Sequence, residues 1–300
     1  NEVDYSALES LEAINARLKD MGVGLHLSEV KGPVMDRLNR SHLIHDLNGE
    51  VFLSQFEAWN KGPLRSYLVE ITGALLKYEA AGAPFVDHIR DAAGQKGTGR
   101  WTVIEALHMG QSASLIEAAI GARSWSSEKA LRERLAAQYG GARGAVAVGL
   151  AQIEQALMAG RILAYAQGFR ILRQAAQDYD WPLDFARIAQ IWRAGCIIRS
   201  ALLDDIAEAF EASGRGGQLL EAEVIADRLQ GALPGLRAVA AAALGAGHPA
   251  PALNNAVSFF DSLRIASGTA NIIQAQRDFF GRHGFERLDQ GGQHHGPWWD

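Results

Sequence analysis

The sequence predicts a mainly α-helical protein with a small α/β segment at its amino terminus. Three stretches of different pattern support this prediction. Residues 1–55 combine helical and strand spacing, residues 56–284 have helical spacing almost throughout, and residues 285–300 have neither. Of the 300 residues, 48% are hydrophobic and 21% are charged, which is ordinary for a globular protein. We therefore expect an α/β segment, a large all-helical domain and an extended tail.

Residues 1–55 follow the order helix, strand, helix, strand. Ser6 is the expected N-cap of the first helix, and Gly22 follows its end. Strand patterns cover residues 23–30 and 50–56, and a short helix with Pro33 in its first turn lies between them. This order predicts a parallel sheet. The apolar positions that predict the first helix are Leu8, Leu11, Ile14 and Leu18.

From residue 56 to residue 284 almost every stretch has helical spacing, and glycines mark many of the ends. Wide apolar stripes, and helices that are apolar on all sides, predict a buried helical bundle. We place Pro234 near the start of a helix. The predicted helical stretches are 62–82, 100–110, 113–141, 145–178, 183–199, 202–212, 231–247, 255–267 and 270–284.

Composition excludes several classes of function. The formal net charge of -5 argues against nucleic-acid binding as the main role of the chain. Cys196 is the only cysteine, which excludes an internal disulfide and a thiolate metal cluster and fits a cytoplasmic protein. No apolar run has the length of a membrane span, and no histidines or carboxylates have metal-ligand spacing. The first residue is not methionine, so we expect a fragment or a fusion.

The glycine-rich stretch IRDAAGQKGTGRW, residues 89–101, is a candidate anion-binding loop. Gly97 follows Lys96 where a Walker A loop needs Ser or Thr, and no strand precedes the glycines as a Rossmann fingerprint requires. Backbone N–H groups at the start of the following helix, Lys96 and the Thr98 hydroxyl would suit an anion. The alternative is a glycine-rich turn between helices whose lysine is only solvated.

Two arginines and one histidine are further candidates for ligand binding. Arg123 follows a run of small apolar residues, Arg277 lies in QAQRDFF, and His283 comes six residues later. An arginine near the apolar face of a helix needs an anionic partner. That partner is either a carboxylate of the protein or a ligand, and the spacing alone leaves both alternatives open.

Residues 89–101 also resemble a signature of the decarboxylating 6-phosphogluconate dehydrogenases. The resemblance covers residues 56–300 and implies the all-helical carboxyl-terminal domain of that family. Six more stretches resemble the family in the same order: FEAWNKGPLRSYLVEIT (56–72), SLIEAAIGARSWSS (114–127), YAQGFRILRQAA (165–176), IAQIWRAGCIIRS (188–200), ALNNAVSFFDSLR (252–264) and IIQAQRDFFG (272–281).

The resemblance implies a site for 6-phosphogluconate. Lys96, Thr98, Arg123 and Arg277 would contact the phosphate, and His283 would contact a sugar hydroxyl. It also implies a homodimer in which the last helix and the tail, residues 285–300, reach the neighbouring subunit. Arg277 and His283 would then serve the site of the partner subunit.

The resemblance also defines what these 300 residues do not match. The family oxidises its substrate with NADP, releases carbon dioxide and forms ribulose 5-phosphate. Neither its NADP-binding domain nor the segment that carries its lysine general base is matched here. No catalytic, cofactor-binding or metal-binding residue is therefore assigned in this chain, and we expect it neither to bind NADP nor to turn over substrate on its own.

Residues 1–55 resemble half of a STAS domain, of the kind found at the cytoplasmic end of SulP-type anion transporters. The matching stretches are VDYSALESLEAI (3–14), LHLSEVKGPVMDRL (25–38) and GEVFLSQ (49–55). We therefore expect a chimera joined near Phe56. The alternatives to an enzyme domain are a non-catalytic dimerising module with a STAS-like interaction segment, and a pseudo-enzyme.

Overall fold

The computed structural model describes residues 5–28, 30, 32–47, 51–52, 54–213 and 217–299. Parts of the predicted amino-terminal segment, including residues 1–4, lie outside these described residues. The described part is mainly helical, which confirms the predicted fold class.

The amino-terminal segment follows the predicted order, except that two short helices stand where one was expected and that Ser6 lies inside the first helix instead of capping it. Helix α1 (Tyr5–Asp20), strand β1 (Leu27–Ser28), helices α2 (Gly32–Leu38) and α3 (Leu43–Asp46) and strand β2 (Val51–Phe52) follow one another. The strands pair in parallel, with Leu27 opposite Val51, as the helix–strand alternation predicts. The strand predicted over 50–56 ends early, because residues from Gln55 onward belong to the next helix.

That next helix begins at a complete cap. Ser54 accepts a hydrogen bond from the Glu57 backbone N–H, and the Glu57 carboxylate accepts one from the Ser54 N–H, both at 3.3 Å. This capping box explains why the chain leaves the strand before Gln55. The predicted junction near Phe56 therefore lies inside a helix.

The remaining elements form a helical domain with two short hairpins. The helices are α4 (Gln55–Lys61), α5 (Tyr67–Leu75), α6 (Thr98–His108), α7 (Ser114–Ser127), α8 (Lys129–Tyr139), α9 (Leu150–Asp178), α10 (Phe185–Trp192), α11 (Leu202–Ser213), α12 (Glu223–Gly245), α13 (Pro251–Arg264) and α14 (Ala270–Gly281). The strands are β3 (Glu79–Ala80) with β4 (Ala83–Pro84), and β5 (Phe285–Glu286) with β6 (Gln293–His294); both pairs are antiparallel. Single 3₁₀ turns cover Phe85–His88, Leu219–Glu221 and Pro297–Trp299.

Helix α9 is the centre of the core, and α12 packs along it more extensively than any other described pair of helices. Apolar residues on several sides of α9 are buried, including Ile162, Leu163 and Phe169. The Phe169 ring lies 5.9 Å from that of Phe185 and 4.7 Å from that of Phe210, which joins α9 to α10 and α11. This central position explains why the α9 sequence is apolar almost all round.

Several predicted helix boundaries are wrong. The stretch 62–82 contains α5 and then strand β3, and the stretch 113–141 is divided into α7 and α8. Pro234 lies inside α12, not near its start. Although proline lacks an N–H and costs a helix about 3 kcal/mol, α12 continues because it buries Ile225, Leu229 and Leu236 in the core. The helix predicted over 183–199 ends at Trp192.

The end of α10 is set by a distant part of the chain. Gly195, three residues after the last residue of α10, has a positive φ of 70° and so lies outside helical geometry. Farther on, the Tyr67 N–H donates to the Arg199 carbonyl at 3.1 Å, and Ser66 and Ser200 form an isolated bridge. Residues 193–200 therefore cross to the start of α5 instead of continuing the helix.

Candidate functional site

The glycine-rich loop runs into the start of α6. Gly97 has a φ of 110°, in the left-handed region that favours glycine, and α6 begins at the next residue, Thr98. The Trp101 ring packs on Gly97, where an added Cβ would lie 3.6 Å from the indole. No side chain caps the first N–H groups of α6, so they are available to an anion.

The structure brings three of the five predicted ligand residues to this loop. Lys96 and Thr98 flank Gly97, and the Arg123 guanidinium of α7 donates a hydrogen bond to the Gly94 carbonyl. All three side chains belong to exposed residues. Among the described residues, none of the carboxylates forms an ion pair with Lys96 or Arg123, so the alternative of a salt bridge within the protein finds no partner there.

The other two predicted residues lie on a carboxyl-terminal arm, which comprises α14 and residues 282–299. Arg277 is exposed, and its Nη1 donates to the Gln274 amide oxygen at 3.2 Å, its one side-chain hydrogen bond to the described residues. His283 follows α14 and packs edge-on against Phe280, with ring centroids 5.9 Å apart. No hydrogen bond or ion pair among the described residues joins this arm to the glycine-rich loop.

Asp278 accepts most of the hydrogen bonds that hold the tail against α14, although no sequence pattern singles it out. Its side chain is fully buried. The backbone N–H groups of Gly284 and Gly296 and the Trp298 indole N–H each donate to its carboxylate at 2.9 Å, and His295 Nδ1 lies 2.6 Å away. The Trp299 indole N–H donates to the Asp278 carbonyl at 3.1 Å. The tail thus packs on α14 of its own chain, and its exchange with a partner subunit stays a prediction.

These hydrogen bonds keep the Asp278 carboxyl group ionised. Burial by itself raises the pKa of this carboxyl group, but the bonds from Gly296, His295, Gly284 and Trp298 outweigh burial. The net effect holds the pKa of Asp278 below its usual range, so it is ionised at neutral pH. An ionised acceptor strengthens each of these bonds.

A large apolar cavity lies beside the start of α6. Its volume is about 860 Å³, and Thr98 and Thr102 line one side of it. Arg161 lies on another side, where burial lowers the pKa of its guanidinium, and its Nη1 donates to the Leu64 carbonyl at 3.0 Å. Burial raises the pKa of the nearby Tyr165, whose hydroxyl donates to the Ile198 carbonyl at 2.8 Å. The uncapped start of α6 therefore lies next to a largely apolar space.

The comparisons with known proteins agree with this architecture. Residues 41–298 match the sequence model of the 6-phosphogluconate dehydrogenase C-terminal domain. The chain belongs to the 6-phosphogluconate dehydrogenase family. Its helical domain is that of the family, as the resemblance implies, and the match begins before the predicted junction near Phe56.

Three relatives illustrate the similarity. The decarboxylating 6-phosphogluconate dehydrogenase of Schizosaccharomyces pombe is 45% identical over 240 residues, which are 78% of this chain and 49% of that protein. The mouse enzyme is 41% identical over 261 residues, covering 84% of this chain and 54% of that protein. A solved structure of Plasmodium falciparum 6-phosphogluconate dehydrogenase matches with a TM-score of 0.76 and 34% identity, over 81% of this chain and 54% of that one. That enzyme is described without ligand, with its cofactor NADP+ and with its substrate 6-phosphogluconate.

Two limits follow from these comparisons. The chain spans about half the length of the curated relatives that it matches, and the comparisons give no support to the resemblance of residues 1–55 to a STAS domain.

In the described part of the chain, no helix is long and apolar enough to cross a membrane, and no group of His, Cys, Asp and Glu residues could hold a metal ion.

Proposed function

We propose that this chain is the substrate-binding and dimerisation domain of an NADP-dependent, decarboxylating 6-phosphogluconate dehydrogenase of the cytoplasm. In the complete enzyme it would hold 6-phosphogluconate while the substrate is oxidised, decarboxylated and converted to ribulose 5-phosphate. The observation that carries this proposal is that Lys96 and Thr98 flank Gly97 at the uncapped start of α6, while the Arg123 guanidinium donates to the Gly94 carbonyl of the same loop. A phosphate dianion is best bound by such a combination of cations and backbone N–H groups.

The carboxyl-terminal arm would complete the site of a second copy of the chain. Arg277 and His283 are exposed on this arm, and no described carboxylate pairs with Arg277. The arm also exposes large apolar side chains, which favour a partner surface. These side chains are Ile272, Ile273, Phe279, Phe280 and Leu288. We propose that two copies exchange their arms in a homodimer, with Arg277 on the phosphate and His283 on a sugar hydroxyl.

The domain by itself would bind substrate without turning it over. Hydride transfer needs NADP and a general base, and neither the cofactor domain nor the lysine segment of the family is matched within these 300 residues. We accordingly expect no NADPH formation from 6-phosphogluconate by this chain alone. Full activity of the purified chain in a standard NADPH assay would contradict this part of the proposal.

Calorimetry with 6-phosphogluconate tests the binding site directly. The wild type should bind 6-phosphogluconate more tightly than gluconate, which lacks the phosphate. Lys96→Ala should lower the affinity by roughly 10- to 100-fold, because a hydrogen bond to a charged group contributes about 1.5–3 kcal/mol. Lys19→Ala, at the exposed end of α1, is the matched control and should bind like the wild type. Equal affinity for the two ligands would contradict a phosphate site.

A second proposal is a non-catalytic dimerising module, or a pseudo-enzyme, whose amino-terminal STAS-like segment contacts other proteins. The parallel pairing of β1 with β2 favours it, because that order of elements is the one expected for half of a STAS domain. This proposal requires a dimer by light scattering but no binding of 6-phosphogluconate. The same calorimetry therefore separates the two proposals.

A further inference from the structure

The residues just before Lys96 are attached to α7 and α8 at three points. We propose that Asp91 and Arg132 are positioning residues of the phosphate site: together they fix the loop so that Lys96, Thr98 and Arg123 converge. This inference rests on the proposed binding of 6-phosphogluconate. Neither residue would contact the ligand.

Arg132 of α8 makes the first attachment. Its Nη1 donates to the Asp91 carboxylate at 2.9 Å, and its Nη2 donates to the Asp91 carbonyl at 2.8 Å. The same Nη2 donates to the Ser126 carbonyl at 2.9 Å. One guanidinium thus connects the side chain and the backbone of Asp91 to the last turn of α7. A lysine ammonium could not make all of these contacts.

Lys129 supports the same contact from the first turn of α8. Its Nζ lies 2.7 Å from the second oxygen of the Asp91 carboxylate and 3.8 Å from Glu133. Hydrogen bonds from Arg132 and Lys129 hold the pKa of the Asp91 carboxyl below its usual range. The clamp, defined as Asp91, Arg132 and Lys129, therefore keeps its charges across the neutral pH range.

Two more attachments follow within the next three residues. The Ala93 N–H donates to Ser126 Oγ at 2.8 Å, and that hydroxyl donates to the Arg123 carbonyl at 2.7 Å. The Arg123 guanidinium donates to the Gly94 carbonyl. Ala93 and Gly94 are thus bound to the last turns of α7, which carry Arg123 and Ser126.

This arrangement differs from an ordinary exposed ion pair. An isolated surface pair contributes little to stability, since solvent screens it and the side chains lose freedom. Arg132, by contrast, bridges two backbone carbonyls as well as a carboxylate, so its contacts specify where the loop lies relative to α7. A binding group that is fixed beforehand costs less entropy when the ligand binds. The expected effect is therefore on affinity for phosphate more than on global stability.

The test is the variant Arg132→Met, with Arg134→Met as its control. Arg134 is exposed on the same helix and makes no hydrogen bond or ion pair with the described residues, so both variants lose the same charge. Affinities for 6-phosphogluconate and gluconate are measured by calorimetry at one ionic strength. Hydrogen exchange of residues 91–97 and of α9, together with the thermal midpoint, is measured on the same samples.

We expect Arg132→Met to raise the Kd for 6-phosphogluconate about tenfold, because small misplacements of binding groups are costly. Exchange in residues 91–97 should accelerate, while exchange in α9 and the affinity for gluconate stay unchanged. Arg132→Lys should restore only part of the affinity, and Arg134→Met should behave like the wild type.

Three outcomes would overturn the inference. In the first, the wild type binds 6-phosphogluconate and Arg132→Met binds it equally well. In the second, Arg132→Met and Arg134→Met weaken binding to the same extent, so that the effect is one of net charge. In the third, the wild type binds no 6-phosphogluconate, which refutes the proposed function as well and is thereby distinguishable from the other two.

Discussion

Gly235 and Gly231 lie one turn apart on α12, and the same substitution should have opposite effects at the two positions. An alanine Cβ at Gly235 would meet α9, where it would lie 2.6 Å from Gln155 Oε1 and 2.7 Å from the Gln152 carbonyl, and against Gln155 Cβ. At Gly231 nothing lies within 4 Å of the added Cβ. The two sites therefore separate helix propensity from packing.

The magnitudes follow from two opposing effects. Alanine is about 1 kcal/mol more favourable than glycine inside a helix, and this gain applies at both sites. Overpacking a core costs typically about 1–3 kcal/mol, and the upper end applies at Gly235 because a backbone carbonyl of α9 cannot rotate away as a side chain can. Gly235→Ala should therefore lower the free energy of unfolding by about 2 kcal/mol, and Gly231→Ala should raise it by up to about 1 kcal/mol.

Urea unfolding followed by circular dichroism measures both changes. For a chain of this size the loss at Gly235 corresponds to a fall of about 5 °C in the thermal midpoint. If Gly235→Ala were as stable as the wild type while Gly231→Ala gained stability, the close approach of α12 to α9 would be refuted. Equal gains at both positions would refute it as well.

Three more predictions concern buried polar groups. Asp278→Asn should accelerate hydrogen exchange in residues 284–299, because an amide cannot accept all the bonds that the carboxylate accepts. Asp289→Asn, in the exposed pair with Arg287, should leave that exchange unchanged, and equal protection in both variants would contradict the role of Asp278. Because the folded-state pKa of Asp278 is lowered, its contribution to docking of the tail is complete above the unfolded pKa of about 3.9 and is lost as pH falls through the folded pKa. Hydrogen exchange measured from pH 6 downward should show a protected tail at pH 4.5, and loss of protection near pH 5 would contradict a lowered pKa. Gln167→Leu should lower the free energy of unfolding by about 1–3 kcal/mol, because the Leu115 N–H loses the acceptor 2.9 Å away. Urea unfolding checks this, with Gln174→Leu at a more exposed amide pair as control, and an equal loss of stability in the two variants would refute the prediction.

Local sequence patterns predict much of the helical architecture. The apolar faces of α9 predict a buried central helix, and the structure confirms it, since hydrophobic burial depends mainly on the spacing of apolar residues. The glycine-rich loop also follows from local chemistry, because only glycine adopts the φ of 110° at Gly97 without strain. The sequence thereby places Lys96 and Thr98 at the start of a helix.

The errors lie where distant contacts outweigh local preference. The helical pattern over 183–199 continues past Trp192, but Arg199 and Ser200 at its end pair with Tyr67 and Ser66, far away in the sequence. Pro234 suggests a helix start, but burial against α9 carries α12 through it. In both cases the deciding partner is remote in the sequence, so no local pattern could identify it.

By itself the sequence determined the helical class, the glycine-rich turn that leads into α6 and, by resemblance, the family to which the chain belongs. These depend on residue types at short spacing, which a linear pattern records. Only the tertiary structure decided that Arg132 holds Asp91 and that the Asp278 carboxylate is bonded to Gly284, Gly296, His295 and Trp298. Hydrogen-bond partners are chosen by distance and direction in space, and those are fixed only once the helices have packed.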